Sequence, residues 1–382
     1  MHKILIIFGT RPELIKLAPV IYEFDRRGFR DNLIIINTNQ HNSLLKQVLG
    51  EFSIATDHML DINNQSNSLS ILAAEITKSL ENLIKKIQLS ETIESIIVQG
   101  DTTSTYCASL VAFYNKIPVH YIEAGLRTYD KENPFPEEFH RRVVSLSAEY
   151  LYAPTESAKQ NLEDEGFDPQ KIIVTGNTII DSIFLMEKLN FTQKINDVRN
   201  TILCTIHRRD NHGKNLVNYL ESIIKLAIDN SEYNFVILRH PNPEIKNILD
   251  KYSVKQSKNL IISDPLPYSK MLHQIKSSRL IISDSGGLLE EASFFQTPVI
   301  VLRKTTERVE SISNNIAVCL QSNDHNINSI FNKMIALEID ESNKYLYGTG
   351  RAAKAIVDNI LRPTKNIVHS ANSANNEDSS NK

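Results

Sequence analysis

The chain has 382 residues, of which 41% are hydrophobic and 23% are charged, and its formal net charge is −3 at pH 7. This length is too great for one ordinary hydrophobic core, so it predicts two domains. The composition is typical of a soluble globular protein, and the slightly acidic balance argues against nucleic acid as a partner.

The first predicted strand begins almost at once, in the apolar residues 3–8. This run is too short for a secretory leader and no cleavage site follows it. No apolar stretch approaches the roughly 20 residues of a membrane span. The isolated cysteines Cys107, Cys204 and Cys319 are typical of small core residues in a reducing compartment. We therefore expect a cytoplasmic protein without a membrane partner.

Short β-branched runs alternate with amphipathic stretches of helical length through the first half of the chain. The predicted strands are residues 3–8, 33–37, 95–99, 119–122, 150–153 and 171–174. Helical patterns lie between them, as at residues 68–87 and 137–148. Nearly continuous Ile, Val and Leu runs are typical of parallel strands buried on both faces, and their alternation with helices indicates βαβ units.

A second series of strand-like runs follows a polar stretch at residues 191–199, and it comprises residues 201–205, 235–239, 260–262, 280–282 and 299–302. We place the junction between residues 174 and 201, with an N-terminal domain at 1–175 and a C-terminal domain at 176–362. Residues 363–382 are rich in Asn and Ser and predict a disordered tail. The expected fold is α/β, with two doubly wound Rossmann-like domains and a cleft between them.

Three acidic motifs lie in loops or helix starts marked by Gly, Thr or Pro, at residues 100–105, 123–128 and 134–142. The first two directly follow predicted strands, and loops at the carboxyl ends of parallel strands form the ligand crevice. Asp101, Glu123 and Glu137 are therefore candidates for proton transfer. The alternative is structural, because Asp101 could cap the next helix and Glu137 could be an ordinary first-turn residue.

The loop after the first strand is a candidate anion site, with the sequence Gly9-Thr10-Arg11-Pro12-Glu13-Leu14-Ile15-Lys16. Gly frees the backbone, Pro fits the first helical turn, and the helix start offers N–H groups to an anion. Arg11 and Lys16 would add positive charge. A solvated turn is the alternative, and the motif is not a P-loop.

The C-terminal half carries a second candidate anion site after the run at residues 280–282. Ser285-Gly286-Gly287 opens a helix whose free N–H groups suit a phosphate. Glu290 and Glu291 follow about one turn later, where a carboxylate can accept hydrogen bonds from ribose hydroxyls. A plain N-cap with acidic first-turn residues is the alternative.

Histidine and arginine follow two further strands of this half, as His207-Arg208-Arg209 and as Arg239-His240. Histidine exchanges protons near neutral pH, and arginine suits phosphate or carboxylate. Arg308 ends a cationic segment after residues 299–302, which is either a ligand site or an exposed charge run. No set of His, Cys and carboxylates has metal-ligand spacing.

Together these motifs closely resemble those of the non-hydrolysing bacterial UDP-N-acetylglucosamine 2-epimerases, over roughly residues 3 to 360. The matching segments are Gly9-Thr10-Arg11-Pro12-Glu13, Gly100-Asp101-Thr102-Thr103, Glu123-Ala124-Gly125-Leu126-Arg127, Pro136-Glu137-Glu138, His207-Arg208-Arg209, His240-Pro241-Asn242-Pro243, Asp284-Ser285-Gly286-Gly287 and Thr305-Thr306-Glu307-Arg308. The resemblance implies the B-type glycosyltransferase fold with a C-terminal helix that returns to the first domain. It also implies a homodimer that needs no cofactor and no metal.

The resemblance further implies the reaction and the residues that perform it. The family interconverts UDP-N-acetylglucosamine and UDP-N-acetylmannosamine by anti elimination of UDP to 2-acetamidoglucal and syn re-addition, which supplies precursors of surface polysaccharides. The residues that match its catalytic groups are Asp101, Glu123, Glu137 and His207. Those that match its UDP contacts are Arg11, Lys16, Ser285, Gly287, Glu291 and Arg308.

Departures from the family pattern leave alternatives open. A second substrate site in activated members usually carries Gln-His-Arg-x-Met-Leu, where this chain has Gln40-His41-Asn42-Ser43-Leu44-Leu45. Gln40, Arg208 and His240 still match that site, yet the changes predict weak activation. The alternative activities are a hydrolysing 2-epimerase that releases N-acetylmannosamine and UDP, a 2-epimerase of a modified UDP-amino sugar, and a nucleotide-sugar binding protein without turnover.

Overall fold

A computed structural model describes residues 2–40, 43–62, 68–189, 199–206, 211, 213–239, 243–252, 258–321 and 327–362. Within these ranges the chain forms two sheets, and all the strand pairs are parallel. We call the layers built on the first and second sheets the first and second units. The predicted residues 191–198, His207, Arg208, His240 and the tail at 363–382 lie outside the described ranges.

The first unit has a seven-stranded sheet with strand order β3-β2-β1-β4-β5-β6-β7. Its strands are β1 His2–Phe8, β2 Leu33–Asn37, β3 His58–Met59, β4 Thr92–Gln99, β5 Val119–Ile122, β6 Tyr150–Ala153 and β7 Ile172–Val174. The helices between and after them are α1 Arg11–Arg26, α2 Ser43–Glu51, α3 Leu69–Gln88, α4 Thr103–Tyr114, α5 Glu137–Ser147, α6 Glu156–Asp164 and α7 Thr178–Lys188.

The second unit has a six-stranded sheet with strand order β10-β9-β8-β11-β12-β13. Its strands are β8 Thr201–Thr205, β9 Asn234–Leu238, β10 Leu260–Ser263, β11 Ser278–Ser283, β12 Val299–Val301 and β13 Ala317–Cys319. The remaining helices are α8 Lys214–Asp229, α9 Pro243–Tyr252, α10 Tyr268–Ser277, α11 Leu288–Phe294, α12 Val309–Ser313, α13 Ile327–Ile335 and α14 Ala352–Ile360. The predicted fold class, two doubly wound α/β units, is confirmed.

Strand β1 shows why the apolar runs fold in this way. Its residues from Ile4 to Phe8 are all buried, and they alternate between two apolar clusters on opposite faces of the sheet. A strand packed by helices on both faces needs apolar side chains at every position. The strands β3 and β13 were not predicted. Strand β3 has two residues and is too short for a periodic signal, whereas the three residues of β13 lie within an apolar run at residues 316–320.

The two units pack against each other through α7 and α14. The apolar cluster on one face of β1 continues through α7 to β8, β11 and β12 of the second unit. Helix α14 follows the second sheet in sequence but packs against α1 and α7 of the first unit. Asp181 on α7 accepts hydrogen bonds from the backbone N–H groups of Ala352 and Ala353 at 3.2 and 3.0 Å, which fixes the start of α14.

Candidate active site

The loop after β5 presents Glu123 in an unusual backbone conformation. Its φ is 70°, in the left-handed region that few residues other than glycine adopt. Gly125 follows with a φ of 89°, and the backbone N–H of Ala124 donates to the carbonyl of Tyr152 at 3.0 Å. Such conformations persist only when the surrounding structure holds them, and they concentrate at functional sites.

Four side chains donate to the buried carboxylate of Glu123. Lys16 and Gln99 are in close contact with it, Asn177 Nδ2 lies at 3.0 Å, and Arg308 Nη2 lies at 3.1 Å. Burial alone would raise the pKa of Glu123, but the positive charges of Lys16 and Arg308 hold that pKa below its ordinary value. The carboxylate is therefore ionised at neutral pH.

Glu290 of the second unit faces three of these four donors. Its carboxylate lies 3.5 Å from Lys16 Nζ, 2.8 Å from Asn177 Nδ2 and 3.1 Å from Arg308 Nε. Burial is the largest influence and raises the pKa of Glu290, although Lys16 and Arg308 oppose the rise. Glu123 and Glu290 are thus bridged across the cleft by one shared set of cations and one amide.

Asp101 lies beside Arg141, which arises from α5. Arg141 Nε donates to Asp101 Oδ2 at 2.9 Å, and the same guanidinium contacts Glu138 at 3.1 Å and Glu307 of the second unit at 3.3 Å. Burial would raise the pKa of Asp101, but Arg141 and Arg308 lower it below the ordinary value. Thr102 accepts the capping hydrogen bond from the N–H of Thr105 at 3.2 Å, so it fills the role considered for Asp101.

Glu137 and Glu138 lie side by side at the start of α5 but in different surroundings. Glu137 is the first residue of the helix and is partly exposed. Glu138 is buried and accepts hydrogen bonds from the backbone N–H groups of Thr128 and Tyr129 at 3.0 and 3.1 Å. Arg141 contacts both Glu138 and Asp101, so the described contacts of Glu138 join it to Asp101.

The predicted UDP contacts come from both units, and Lys16, Glu291 and Arg308 among them are buried. Lys16 and Arg308 contact Glu123 and Glu290, as described above. Arg11 lies near Glu291, and burial lowers the pKa of Arg11. Burial also raises the pKa of Glu291 to about 7. Gly287 precedes α11, and the backbone N–H of Ser285 donates to Ser283 Oγ at 3.0 Å.

Gln40, the described member of the predicted second site, contacts the start of α4. Its Oε1 accepts hydrogen bonds from the backbone N–H of Ser104 at 3.1 Å and from the Ser104 hydroxyl at 2.7 Å. A Cβ added at Gly9 would lie 2.1 Å from Ser104 Oγ, so the turn after β1 also packs on this point. Gln40 therefore anchors the start of α4 beside the Gly9 turn.

Sequence reasoning missed several side chains of the hydrogen-bonded network around Asp101 and Glu123, namely Gln99, Glu138, Arg141, Asn177 and Glu307. It singled out Glu290, but as an acceptor for ribose hydroxyls rather than as a member of this network. Glu138, Arg141 and Glu307 lie inside motifs that the sequence singled out, so adjacency was an available signal. Gln99 ends an apolar strand and Asn177 begins a helix, and neither position looks chemical in sequence. The fold of the first unit brings both to Glu123, Gln99 from the neighbouring strand β4 and Asn177 from the start of α7.

Neither a candidate metal centre nor a membrane-spanning helix occurs in the described part of the chain. Among these residues no group of three or more His, Cys, Asp or Glu side chains is arranged to hold a metal ion. No helix within the same ranges has both the length and the apolar character to cross a membrane.

Two doubly wound units that meet at a cleft define the B-type glycosyltransferase fold, and the paired carboxylates and buried cations in that cleft are typical of an enzyme. A family model described as UDP-N-acetylglucosamine 2-epimerase matches residues 26–361. The chain belongs to this enzyme family.

Individual relatives agree with the family match over nearly the whole chain. A UDP-N-acetylglucosamine 2-epimerase of Neisseria meningitidis serogroup A is 40% identical over 376 residues, covering 94% of this chain and 99% of the relative. The crystal structure of a Neisseria meningitidis UDP-GlcNAc 2-epimerase bound to UDP-GlcNAc has a TM-score of 0.85 and 37% identity. The match covers 94% of this chain and 100% of the other. The crystal structure of a Methanocaldococcus jannaschii UDP-GlcNAc 2-epimerase in complex with UDP-GlcNAc and UDP has a TM-score of 0.83 and 30% identity. The match covers 94% of this chain and 99% of the other.

Proposed function

We propose that this enzyme interconverts UDP-N-acetylglucosamine and UDP-N-acetylmannosamine without hydrolysis. The observation that carries the proposal is the pairing of Glu123 with Arg308 across the cleft, at 3.1 Å. A carboxylate held ionised beside a cation of the other unit suits a reaction in which a proton and an anionic diphosphate leave adjacent carbons. The relatives that match the whole chain are named for this activity.

The first half-reaction is an anti elimination. A carboxylate takes the proton from C2 of the sugar, and the C2–H electron pair becomes the second bond between C1 and C2. The C1–O bond breaks at the same time, and its electrons leave with UDP to give 2-acetamidoglucal. Arg308, Lys16 and the helix start at Gly287 would stabilise the departing diphosphate.

The second half-reaction is a syn re-addition with the opposite configuration at C2. A protonated acid delivers its proton to the other face of C2, the C1–C2 double bond opens, and a UDP oxygen forms the new bond to C1. Asp101, Glu123, Glu137 and His207 are the proposed acid and base groups. Arg11, Ser285 and Glu291 complete the proposed UDP contacts, with Glu291 at the ribose hydroxyls.

Proton NMR of the reaction in D2O tests this proposal. Incubation with UDP-N-acetylglucosamine should produce UDP-N-acetylmannosamine, with deuterium at C2 of both sugars at equilibrium. Accumulation of free N-acetylmannosamine and UDP would instead identify a hydrolysing enzyme. Turnover of a modified UDP-amino sugar but not of UDP-N-acetylglucosamine would identify a 2-epimerase of that modified sugar. Binding without turnover would exclude an enzyme role.

We also propose that two copies of the chain form a homodimer through the outer face of α4 and α5. Phe113, Tyr114, Phe139 and Leu146 are between 50% and 74% exposed there. Exposed apolar patches of this kind mark protein interfaces. Light scattering should give twice the mass of 43.4 kDa. The Leu146→Glu variant should shift toward the monomer, and a wild-type monomer would exclude the dimer.

The cellular role proposed for the enzyme is the supply of a surface-polysaccharide precursor in the cytoplasm. The chain has three free cysteines, Cys107, Cys204 and Cys319, which is typical of a reducing compartment. A deletion strain should lose N-acetylmannosamine-derived residues from its surface polymer. Unchanged polymer composition would exclude this role without affecting the proposed reaction.

A further inference from the structure

Asn177 is the only neutral side chain among the three groups that bridge Glu123 and Glu290 in the part of the chain that the structure describes. It is 2% exposed and lies at the start of α7, where the two units meet. Its Nδ2 donates to Glu123 Oε1 at 3.0 Å and to Glu290 Oε1 at 2.8 Å. The proposed reaction assigns no role to Asn177.

We propose that Asn177 is a positioning residue that holds the carboxylate of Glu123 in its working orientation, and this inference rests on the proposed epimerase function. A carboxylate that must reach C2 of the sugar needs a fixed direction as well as a charge. Lys16 and Arg308 supply charge on long, rotatable side chains, whereas the short amide of Asn177 is fixed at both of its polar ends.

The rigidity of Asn177 follows from its other hydrogen bonds. Its Oδ1 accepts from the backbone N–H of Ile179 at 3.0 Å, which caps α7, and its own backbone N–H donates to the carbonyl of Tyr347 at 2.7 Å. A Cβ added at Gly176 would lie 3.1 Å from Gly348 Cα, so the two segments pack backbone to backbone. The amide is thus anchored in the contact between residues 176–177 and 347–348.

The two atoms of the amide have separable roles, and substitutions can divide them. Asn177→Ser and Asn177→Asp both keep an acceptor that caps α7, because Ser, Asp and Asn are similar N-caps. Both lose the N–H donor to Glu123 and Glu290. Asp also adds a negative charge beside two carboxylates. Thr155→Ser, a change between capping residues at α6, is the matched control.

The expected result is a change in turnover without a change in folding. Asn177→Ser should still unfold cooperatively, with a melting temperature lowered by a few degrees. It should keep the wild-type KM but lose roughly 100-fold in kcat, the usual cost of a misplaced catalytic group. Asn177→Asp should lose more. Thr155→Ser should match the wild-type enzyme in all three quantities. Wild-type kcat in Asn177→Ser would reduce Asn177 to a helix cap and overturn the inference.

Titration of Glu123 supplies a readout that a purely structural role would not move. Loss of a donor to the carboxylate raises its pKa, so the Glu123 signal in 13C NMR should titrate at higher pH in Asn177→Ser. Glu123→Gln assigns that signal. Among the residues that the structure describes, the charged groups that face Glu123 are Lys16, Asp101, Glu290 and Arg308, and the substitutions leave all of them in place.

This titration also separates the inference from the proposed function. A wild-type enzyme that does not epimerise would sink the proposed function, whereas the NMR titration still decides whether Asn177 holds Glu123. An unchanged titration in Asn177→Ser would refute the positioning role even in an active enzyme.

Discussion

At the scale of single residues, the cleft stabilises negative charge where burial alone would remove it. Asp101 and Glu123 keep depressed pKa values because arginine and lysine side chains face them. Glu290 and Glu291 lie one residue apart in a helix, yet burial dominates there and raises their pKa values. Glu123 and Glu290 share Lys16 and Arg308, so the closeness of the contact separates them: Lys16 hydrogen-bonds to Glu123 but lies 3.5 Å from Glu290.

Replacement of Glu123 by Gln should abolish epimerisation while UDP binding stays nearly intact. The amide keeps the shape of the side chain but cannot accept a proton, and general-base catalysis contributes about 10²- to 10⁴-fold. Product NMR measures the rate, and calorimetry measures the affinity for UDP. Glu149→Gln is the control, because Glu149 pairs with Lys171 at the surface. Wild-type turnover in Glu123→Gln would remove Glu123 from the mechanism.

Replacement of Glu291 by Gln should change how stability depends on pH. The folded-state pKa of Glu291, about 7, lies above the ordinary value of 4.5. The contribution of this carboxyl group to the free energy of unfolding is therefore complete below pH 4.5 and is lost as pH rises through 7. Gln stays neutral at every pH. As pH rises from 5 to 8, the free energy of unfolding of the variant should therefore increase by about 3 kcal/mol relative to that of the wild-type protein.

Urea unfolding of both ligand-free proteins at the two pH values checks this expectation. Glu187→Gln, at an exposed position late in α7, serves as the control and should follow the wild-type curve. An identical stability difference at pH 5 and pH 8 would show that Glu291 does not titrate in this window.

At the scale of elements, short turns after strands aim the site residues. The turn after β5 reverses within three residues because Glu123 and Gly125 both have positive φ. Helix α6 packs so closely on this turn that a Cβ at Gly125 would lie 2.1 Å from the carbonyl oxygen of Ala158. Asn161 on the same helix donates to the carbonyl of Gly125 at 2.9 Å. The packing of α6 therefore helps to fix the backbone that carries Glu123.

Three glycine-to-alanine substitutions should change the free energy of unfolding by different amounts, in an order that the structure predicts. Gly125→Ala combines a φ of 89° with the contact to Ala158, so it should destabilise most, by more than about 2 kcal/mol. Gly166→Ala has a φ of 86° but open space, and should cost about 1–2 kcal/mol. Gly50→Ala, in helix α2 with open space, should stabilise by about 0.5–1 kcal/mol. Urea unfolding measures all three, and equal losses at Gly125 and Gly166 would exclude the steric contact.

At the scale of the whole molecule, polar contacts at several separate points hold the units together. Glu51 at the end of α2 accepts hydrogen bonds from the backbone N–H groups of Tyr268 and Ser269, at 2.8 and 2.9 Å, and from the Ser269 hydroxyl at 2.6 Å. A carboxylate of the first unit thus caps helix α10 of the second. Arg141 contacts Glu307 at another point across the cleft, at 3.3 Å.

Replacement of Glu51 by Ala should loosen this side of the cleft. Loss of an N-cap costs about 1–2 kcal/mol, which corresponds to roughly 5- to 30-fold faster amide exchange at the uncapped N–H groups. Hydrogen–deuterium exchange of the peptide around residues 264–272 should therefore accelerate, while a peptide from α3 should not change. Glu187→Ala is the control. Unchanged exchange at Tyr268 and Ser269 would show that Glu51 does not stabilise the start of α10.

The sequence alone determined the fold class and most strand positions, because a sheet buried on both faces requires unbroken apolar runs such as residues 119–122 and 201–205. It also determined most of the glycine- and acid-marked loops, since these directly follow apolar strand-like runs. The tertiary structure decided that Glu290 and Asn177 meet Glu123, and that Glu138 joins Asp101 through Arg141. Asn177 and Arg141 reach Glu123 and Asp101 because the first unit brings distant parts of the chain together, whereas Glu290 reaches the site only because the two units pack against each other. No local sequence pattern encodes either kind of contact.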